Sequence, residues 1–199
     1  MAEHVAGILL AAGDGSRLGR PKATVELAGS TLAERGVALL RDGGTEPVIV
    51  VTGAIPVELP GVVTVQNPDW LTGMGSSLAT GLRALASSDA VAAVIALADQ
   101  PLVGPEAVRR LIAAYAAGAT VAVAAYDGKP RNPVLIAAVH WPRVIDLATG
   151  DAGARPFLRA HPDLVTPVEC GDTGSPDDID TPEDLARVTE SLLHSPPVD

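Results

Sequence analysis

Two groups of residues in this chain could do chemistry together. The first is the segment LAAGDGSRLGRPK at 10–22, where Gly13, Gly15 and Gly19 are interleaved with Arg17, Arg20 and Lys22. Glycine lets a backbone turn its N–H groups towards an anion. Arginine adds forked contacts to phosphate oxygens, and lysine adds a mobile point charge. A long open loop of this kind suits a polyphosphate; the alternative is a flexible loop with incidental charge. The second group is acidic. Asp99 closes the apolar run VAAVIALA at 91–98, just before Gln100 and Pro101, and Asp178 and Asp180 flank Ile179. Mg2+ takes one or two carboxylates together with phosphate oxygens and waters, so an aspartate at a strand end is a candidate ligand. If Ile179 points into the core, Asp178 and Asp180 point the other way, and either could be a second ligand. A turn cap at Asp99 and a solvated acidic turn at 178–180 are the structural alternatives.

Better-known phosphate loops do not fit. No Gly-x4-Gly-Lys-Ser/Thr string occurs. The glycine spacing 13, 15, 19 is one residue too long for a dinucleotide fingerprint, and Pro21 disfavours helical geometry at Arg20. The second expected strand ends in Val51, Thr52 and Gly53, without the acidic residue that would hold a ribose. His4, His140, His161 and His194 share no spacing, so surface or packing roles are expected. Ser76 and Ser77 follow GMG at an expected helix start and could cap it or touch a ligand; no serine-nucleophile elbow surrounds them.

The elements that must position these residues alternate along the chain. A buried strand is expected at 5–12, and a helix opens at 31 through a capping box formed by Thr31 and Glu34. Strands follow at 47–52 and 62–66, a helix at 76–85 and a strand at 91–97. A helix at 105–117 precedes strands at 120–125 and 133–136. Helices at 139–148 and 154–160, a strand at 164–168 and a helix from 181 to about 193 complete the pattern. This alternation predicts a single α/β domain over 1–194, a mostly parallel doubly wound sheet with helices on both faces, and a frayed tail at 195–199. Such sheets bind ligands beyond the carboxyl ends of their strands. The loop at 10–22 and Asp99 both lie at such ends and can share one crevice.

Bulk composition narrows the partners. With 199 residues and 47% hydrophobic content the chain can bury a substantial core, and with only 3% aromatics that core must be built from Ala, Val and Leu. A net charge of −10 argues against a nucleic-acid groove or an anionic membrane surface. The local basic loop on an acidic protein points instead to a small anionic ligand. Cys170 is the only cysteine, so there is no internal disulfide and no cysteine-based metal site. The amino terminus lacks a basic region before its apolar run, and no membrane span is expected, so a cytoplasmic location is expected.

Taken together, these segments resemble the molybdenum cofactor cytidylyltransferase branch of the MobA-like nucleotidyltransferases. The segment at 10–22 resembles the superfamily's LAAGxGxRxGxPK signature. NPDWLTGMGSSLATG at 67–81, LADQP at 97–101, GDAGAR at 150–155 and DIDTP at 178–182 match the branch in order. The resemblance implies a nucleotide-diphospho-sugar transferase-like fold. It also implies transfer of a nucleoside monophosphate from a nucleoside triphosphate to the phosphate of a pterin-type metal cofactor, with release of pyrophosphate. By the same resemblance Arg17 and Lys22 hold the triphosphate, and Asp99 and Asp180 hold Mg2+, so Arg17, Lys22 and Asp99 are the expected catalytic residues. Nucleotide contacts are implied at Leu10, Ala11, Ala12, Gly13, Gly15, Ser16 and Lys22, with Asn67, Gly75 and Ser77 near base and ribose. Ala11 and Ala12 resemble the cytidylyl form, which implies CTP, and a molybdoenzyme is an implied partner.

One segment departs from the branch. Where relatives carry a Gly-His-Pro type element on the acceptor side, this chain has Arg131, Asn132 and Pro133. A distant group of similar sequences resembles nicotine-blue oxidoreductase, which makes an NAD(P)H-dependent oxidoreductase on the same scaffold one alternative. A non-catalytic carrier of a molybdopterin is the other; it would keep the pocket without needing Asp99.

Overall fold

The computed structural model describes residues 4–194, with side chains to 192; the tail expected to fray at 195–199 lies outside the described residues. β1 (His4–Ala11) runs into the glycine loop. Two short strands, β2 (Glu26–Leu27) and β3 (Ser30–Thr31), form an antiparallel ribbon before α1 (Leu32–Asp42). Then come β4 (Val48–Thr52), β5 (Val63–Gln66), α2 (Met74–Leu85), β6 (Ala90–Leu97) and α3 (Pro105–Ala116). The chain continues through β7 (Val121–Tyr126), β8 (Lys129–Ala137), α4 (Trp141–Leu147), α5 (Arg155–Ala160), β9 (Val165–Glu169) and α6 (Pro182–His194). The capping box of α1 is present: Thr31 Oγ1 accepts the Glu34 N–H at 3.2 Å, and the Glu34 carboxylate accepts the Thr31 N–H at 2.7 Å.

Seven strands make one sheet in the order β5-β4-β1-β6-β8-β7-β9, and only β8 runs against the rest. The chain leaves β1 towards β4 and β5, then returns to the opposite side of β1 to lay down β6. The carboxyl ends of β1 and β6 therefore flank the point where winding reverses, which is where an open α/β sheet leaves a crevice. Ala98 donates its N–H to the Leu10 carbonyl at 3.1 Å, so the two ends stay joined up to the loops.

The strand period of two divides β1 between two cores. Val5, Leu9 and Ala11 face α1 and α3, meeting Val37, Leu40, Val108 and Leu111. Ala6, Ile8 and Leu10 face α2, α4 and α5, meeting Leu78, Leu82, Val144 and Phe157. A third, smaller cluster joins Val25, Leu27 and Leu32 to Ile179 and Val188, and it fastens the start of α6 against the β2–β3 ribbon and the start of α1.

Two elements differ from the sequence expectation. The strand expected at 133–136 is longer, Lys129–Ala137, and antiparallel. Asp127 and Gly128, with φ of 52° and 73°, make a two-residue turn from β7, and such a turn joins only antiparallel neighbours. The α2 helix starts at Met74, two residues before the expected Ser76, because Ser76 is not a cap. Its Oγ hydrogen-bonds the Gly73 and Asp69 carbonyls from inside the first turn. Among the described residues no helix is long and apolar enough to cross a membrane.

Ile179 is fully buried in the third cluster and sits beside Asp180. Ile179→Ala is expected to cost about 2–5 kcal/mol by loss of buried volume, read as a lower urea midpoint at unchanged m-value.

Candidate active site

A cavity of about 510 Å³ opens at the carboxyl ends of β1 and β6. That is within the range of small-molecule sites, roughly 300–1,000 Å³. Leu10, Ala11, Ala12, Gly13, Asp14, Gly15, Ser16, Arg17 and Lys22 form one wall, and Leu97, Ala98, Asp99 and Asp180 form another. Trp70, Leu71, Gly73, Met74, Ser77 and Asp151 line the remainder.

The glycine loop is folded back on itself. Lys22 donates its N–H to the Gly13 carbonyl at 3.2 Å, and Leu18 donates to Gly15 at 2.8 Å. Gly15 has a φ of +61°, and a Cβ there would collide with the Arg20 carbonyl, so no other residue fits this turn. The N–H groups of Gly13, Gly15 and Arg17 have no hydrogen-bond partner among the described residues. Arg17 is exposed at the cavity wall and likewise has no side-chain partner among them. These unpaired donors are what a bound anion requires.

Across the cavity the carboxylates are placed by the segment before α6. Ile179 donates its N–H to the Asp99 carbonyl at 2.8 Å, which lays residues 176–180 alongside the end of β6. Gln100 clips the same segment: its Nε2 donates to the Pro176 carbonyl at 2.9 Å and to Asp178 Oδ1 at 2.8 Å. With Ile179 buried and Asp178 held by Gln100, it is Asp180 that enters the cavity; Asp178 is not among its lining residues. Lys22 Nζ then bridges the two walls, 2.6 Å from Asp99 Oδ2 and 2.5 Å from Asp180 Oδ1. Burial works against the lysine charge, but the charges and hydrogen bonds of Asp99 and Asp180 outweigh it and raise its pKa above the ordinary value. The converging oxygens already surround one cation, the ammonium, so their chemistry suits a small divalent ion. Among the described residues no group of three or more His, Cys, Asp or Glu side chains could hold a metal without help. Two carboxylates leave coordination positions for phosphate oxygens and waters, the usual arrangement for Mg2+.

Two residues expected near the nucleotide lie outside the cavity lining. Asn67 is buried, and its Nδ2 donates to Ser76 Oγ at 2.8 Å and Ser77 Oγ at 3.0 Å. Its partner Ser77 does line the cavity. Gly75 is packed on the backbone behind α2, where a Cβ would lie 2.6 Å from the Thr149 nitrogen. Its small size lets the 148–149 backbone approach. Sequence reasoning did not single out Asp14, Trp70, Leu71, Met74 or Asp151 as site residues. For Asp151, the signal was its place in GDAGAR; for Trp70, Leu71 and Met74, it was their place in the segment at 67–81.

Residues 7–165 match the family described as the MobA-like NTP transferase domain. The chain belongs to that family. Its fold is the nucleotide-diphospho-sugar transferase fold. The chain is 38% identical to nicotine blue oxidoreductase of Paenarthrobacter nicotinovorans, with 92% of this chain and 96% of that protein covered. It is 32% identical to molybdenum cofactor guanylyltransferase of Rhodobacter capsulatus, with 98% of this chain and 100% of that protein covered. The crystal structure of Rv0371c from Mycobacterium tuberculosis in complex with manganese is similar at a TM-score of 0.76 and 25% identity, covering 94% of this chain and 99% of that one.

The cap of α6 gives a pH test. The Thr181 hydroxyl, the Asp180 N–H and Arg187 all donate to Asp184 and hold its carboxyl at about 2, below the ordinary 3.8. A depressed folded value adds stability that is complete above about 3.8 and lost as pH falls through about 2. In pH-resolved thermal melts, the Tm gap between wild type and Asp184→Ala is expected to be constant at neutral pH and to narrow across that acid window.

Proposed function

We infer that this protein transfers a nucleoside monophosphate from a nucleoside triphosphate to the phosphate of a molybdopterin-type cofactor, releasing pyrophosphate, with CTP as donor. The observation that carries the reading is that a cationic glycine loop and two carboxylates from distant parts of the chain meet in one cavity. The likeness to a molybdenum cofactor guanylyltransferase over the whole chain supports the acceptor class. Ala11 and Ala12 in the loop support the cytidylyl form.

In this reading the unpaired N–H groups of Gly13, Gly15 and Arg17 seat the β- and γ-phosphates, and the Arg17 guanidinium forks onto their oxygens. Lys22 supplies a charge on the α–β bridge and stabilises the departing pyrophosphate. Ser77, set by Asn67, faces the nucleoside. The acceptor phosphate is anionic near neutral pH and attacks the α-phosphorus in line, so positioning and charge stabilisation carry the catalysis and no side-chain base is needed. Asp99 and Asp180 would hold a divalent ion, Mg2+ in this reading. When bound, such an ion neutralises phosphate charge as the new bond forms. A molybdoenzyme would take the product, and the location is cytoplasmic.

A second reading has a specific observation behind it. The 38% identity to nicotine blue oxidoreductase over nearly the whole chain favours an NAD(P)H-dependent reduction on the same scaffold. The loop argues for the transferase, because its glycine spacing and Gly53 at the end of β4 do not match a dinucleotide site.

One experiment separates the two. In a thermal-shift panel of CTP, GTP, ATP, UTP and NADPH, each with Mg2+, CTP is expected to raise Tm most. Stabilisation by NADPH alone, with hydride consumption, would overturn the transferase reading. Lys22→Ala is expected to lower pyrophosphate release roughly 100- to 1,000-fold while the circular dichroism spectrum is unchanged. Asp99→Asn is expected to raise the divalent-ion concentration needed for half-maximal rate.

A further inference from the structure

The Lys22 ammonium sits where a divalent ion would have to sit. Its Nζ is 2.6 Å from Asp99 Oδ2 and 2.5 Å from Asp180 Oδ1, and among the described residues no other cationic side chain pairs with either carboxylate. Mg2+ binds oxygen ligands at about 2.0–2.1 Å, so an ion on these same oxygens would stand against the ammonium. All three side chains are partly shielded from water, at 18%, 20% and 40% exposure for Lys22, Asp99 and Asp180. Like charges in such a place repel more strongly than they would in bulk water.

Lys22 also has somewhere else to go. Its backbone is fixed in the glycine loop by the hydrogen bond to Gly13, and its stem runs beside that residue, where an added Cβ would stand 3.5 Å from Lys22 Cδ. Only a flexible four-carbon stem must swing for the ammonium to move from the carboxylates to an anion on the loop. The N–H groups of Gly13, Gly15 and Arg17 have no partner there among the described residues, and they provide the seat for that anion.

We propose that Lys22 is a placeholder cation: it closes the Asp99–Asp180 site to free divalent ions until a nucleoside triphosphate draws it onto the phosphates. The inference rests on the reading above, in which Asp99 and Asp180 hold the metal. It gives the loop lysine a second role. Before nucleotide arrives it neutralises two converging carboxylates; afterwards it holds phosphate, and the carboxylates become free. Metal and nucleotide then bind cooperatively, and metal alone binds weakly.

The test uses Mn2+ alone, without nucleotide, with free ion counted by electron paramagnetic resonance. Lys22→Met is expected to bind Mn2+ about 10- to 100-fold more tightly than wild type, the range by which groups touching metal ligands change affinity. Lys22→Arg, which keeps the charge, is expected to stay near the wild-type value. Lys22→Gln supplies the same comparison if the methionine variant does not fold. Asp99→Asn and Asp180→Asn, each added to the neutral variant, are expected to abolish the gain. If neutral Lys22 variants bind Mn2+ no more tightly than wild type while the aspartate variants still weaken binding, the placeholder is wrong and the metal assignment stands. If the aspartate variants leave Mn2+ binding unchanged, the metal assignment itself fails and the placeholder with it.

Discussion

Everything at this site depends on holding two carboxylates close together across a cleft. Asp99 comes from the end of β6 and Asp180 from the segment before α6, and each brings a negative charge to the same small space. Without a cation between them the two would repel, and the segment carrying Asp180 would lose a reason to stay against β6. Lys22 supplies that cation from a third place, the glycine loop after β1. The bridge thus ties three distant stretches of chain together across the cavity. Replacing one partner leaves partly buried charge uncompensated, which costs more than an exposed pair is worth.

The rest of the structure can be understood as support for this bridge. Parallel pairing of β1 with β6 brings the loop and Asp99 side by side, and the reversal of winding between them leaves space above. The buried Ile179, its hydrogen bond to Asp99 and the Gln100 clip fix the register of 176–180, so the aspartate facing the cavity is Asp180. The α6 cap, in which Thr181 and Asp184 satisfy each other, then prevents the segment from sliding.

The antiparallel strand β8 carries Arg131, Asn132 and Pro133. In its pairing with β7, Val134 stands opposite Val123 and Pro130 opposite Ala125, so Arg131, Asn132 and Pro133 face a single residue, Ala124. The strand is bulged there, next to the carboxyl end of the sheet. The three residues do not line the cavity. Trp70, Leu71, Met74 and Asp151, which do line it, were unremarkable as isolated residues.

The sequence alone determined the α/β class, the mostly parallel sheet, the capping box at Thr31 and the glycine-rich, basic make-up of the loop. Each of these is local or periodic: glycines and basic residues within one short stretch, apolar runs of strand length, a cap three residues from its partner. Only the tertiary structure decided which of Asp178 and Asp180 lines the cavity, because the answer depends on Gln100, some 80 residues away in sequence, taking one of them. Only the fold showed that Asn67 lies buried behind Ser77, hydrogen-bonded to it, and that Gly75 makes room for another backbone. The Lys22 bridge was likewise invisible in the sequence. Charge attraction between residues 22, 99 and 180 acts through space, and their proximity is set by which strands lie side by side.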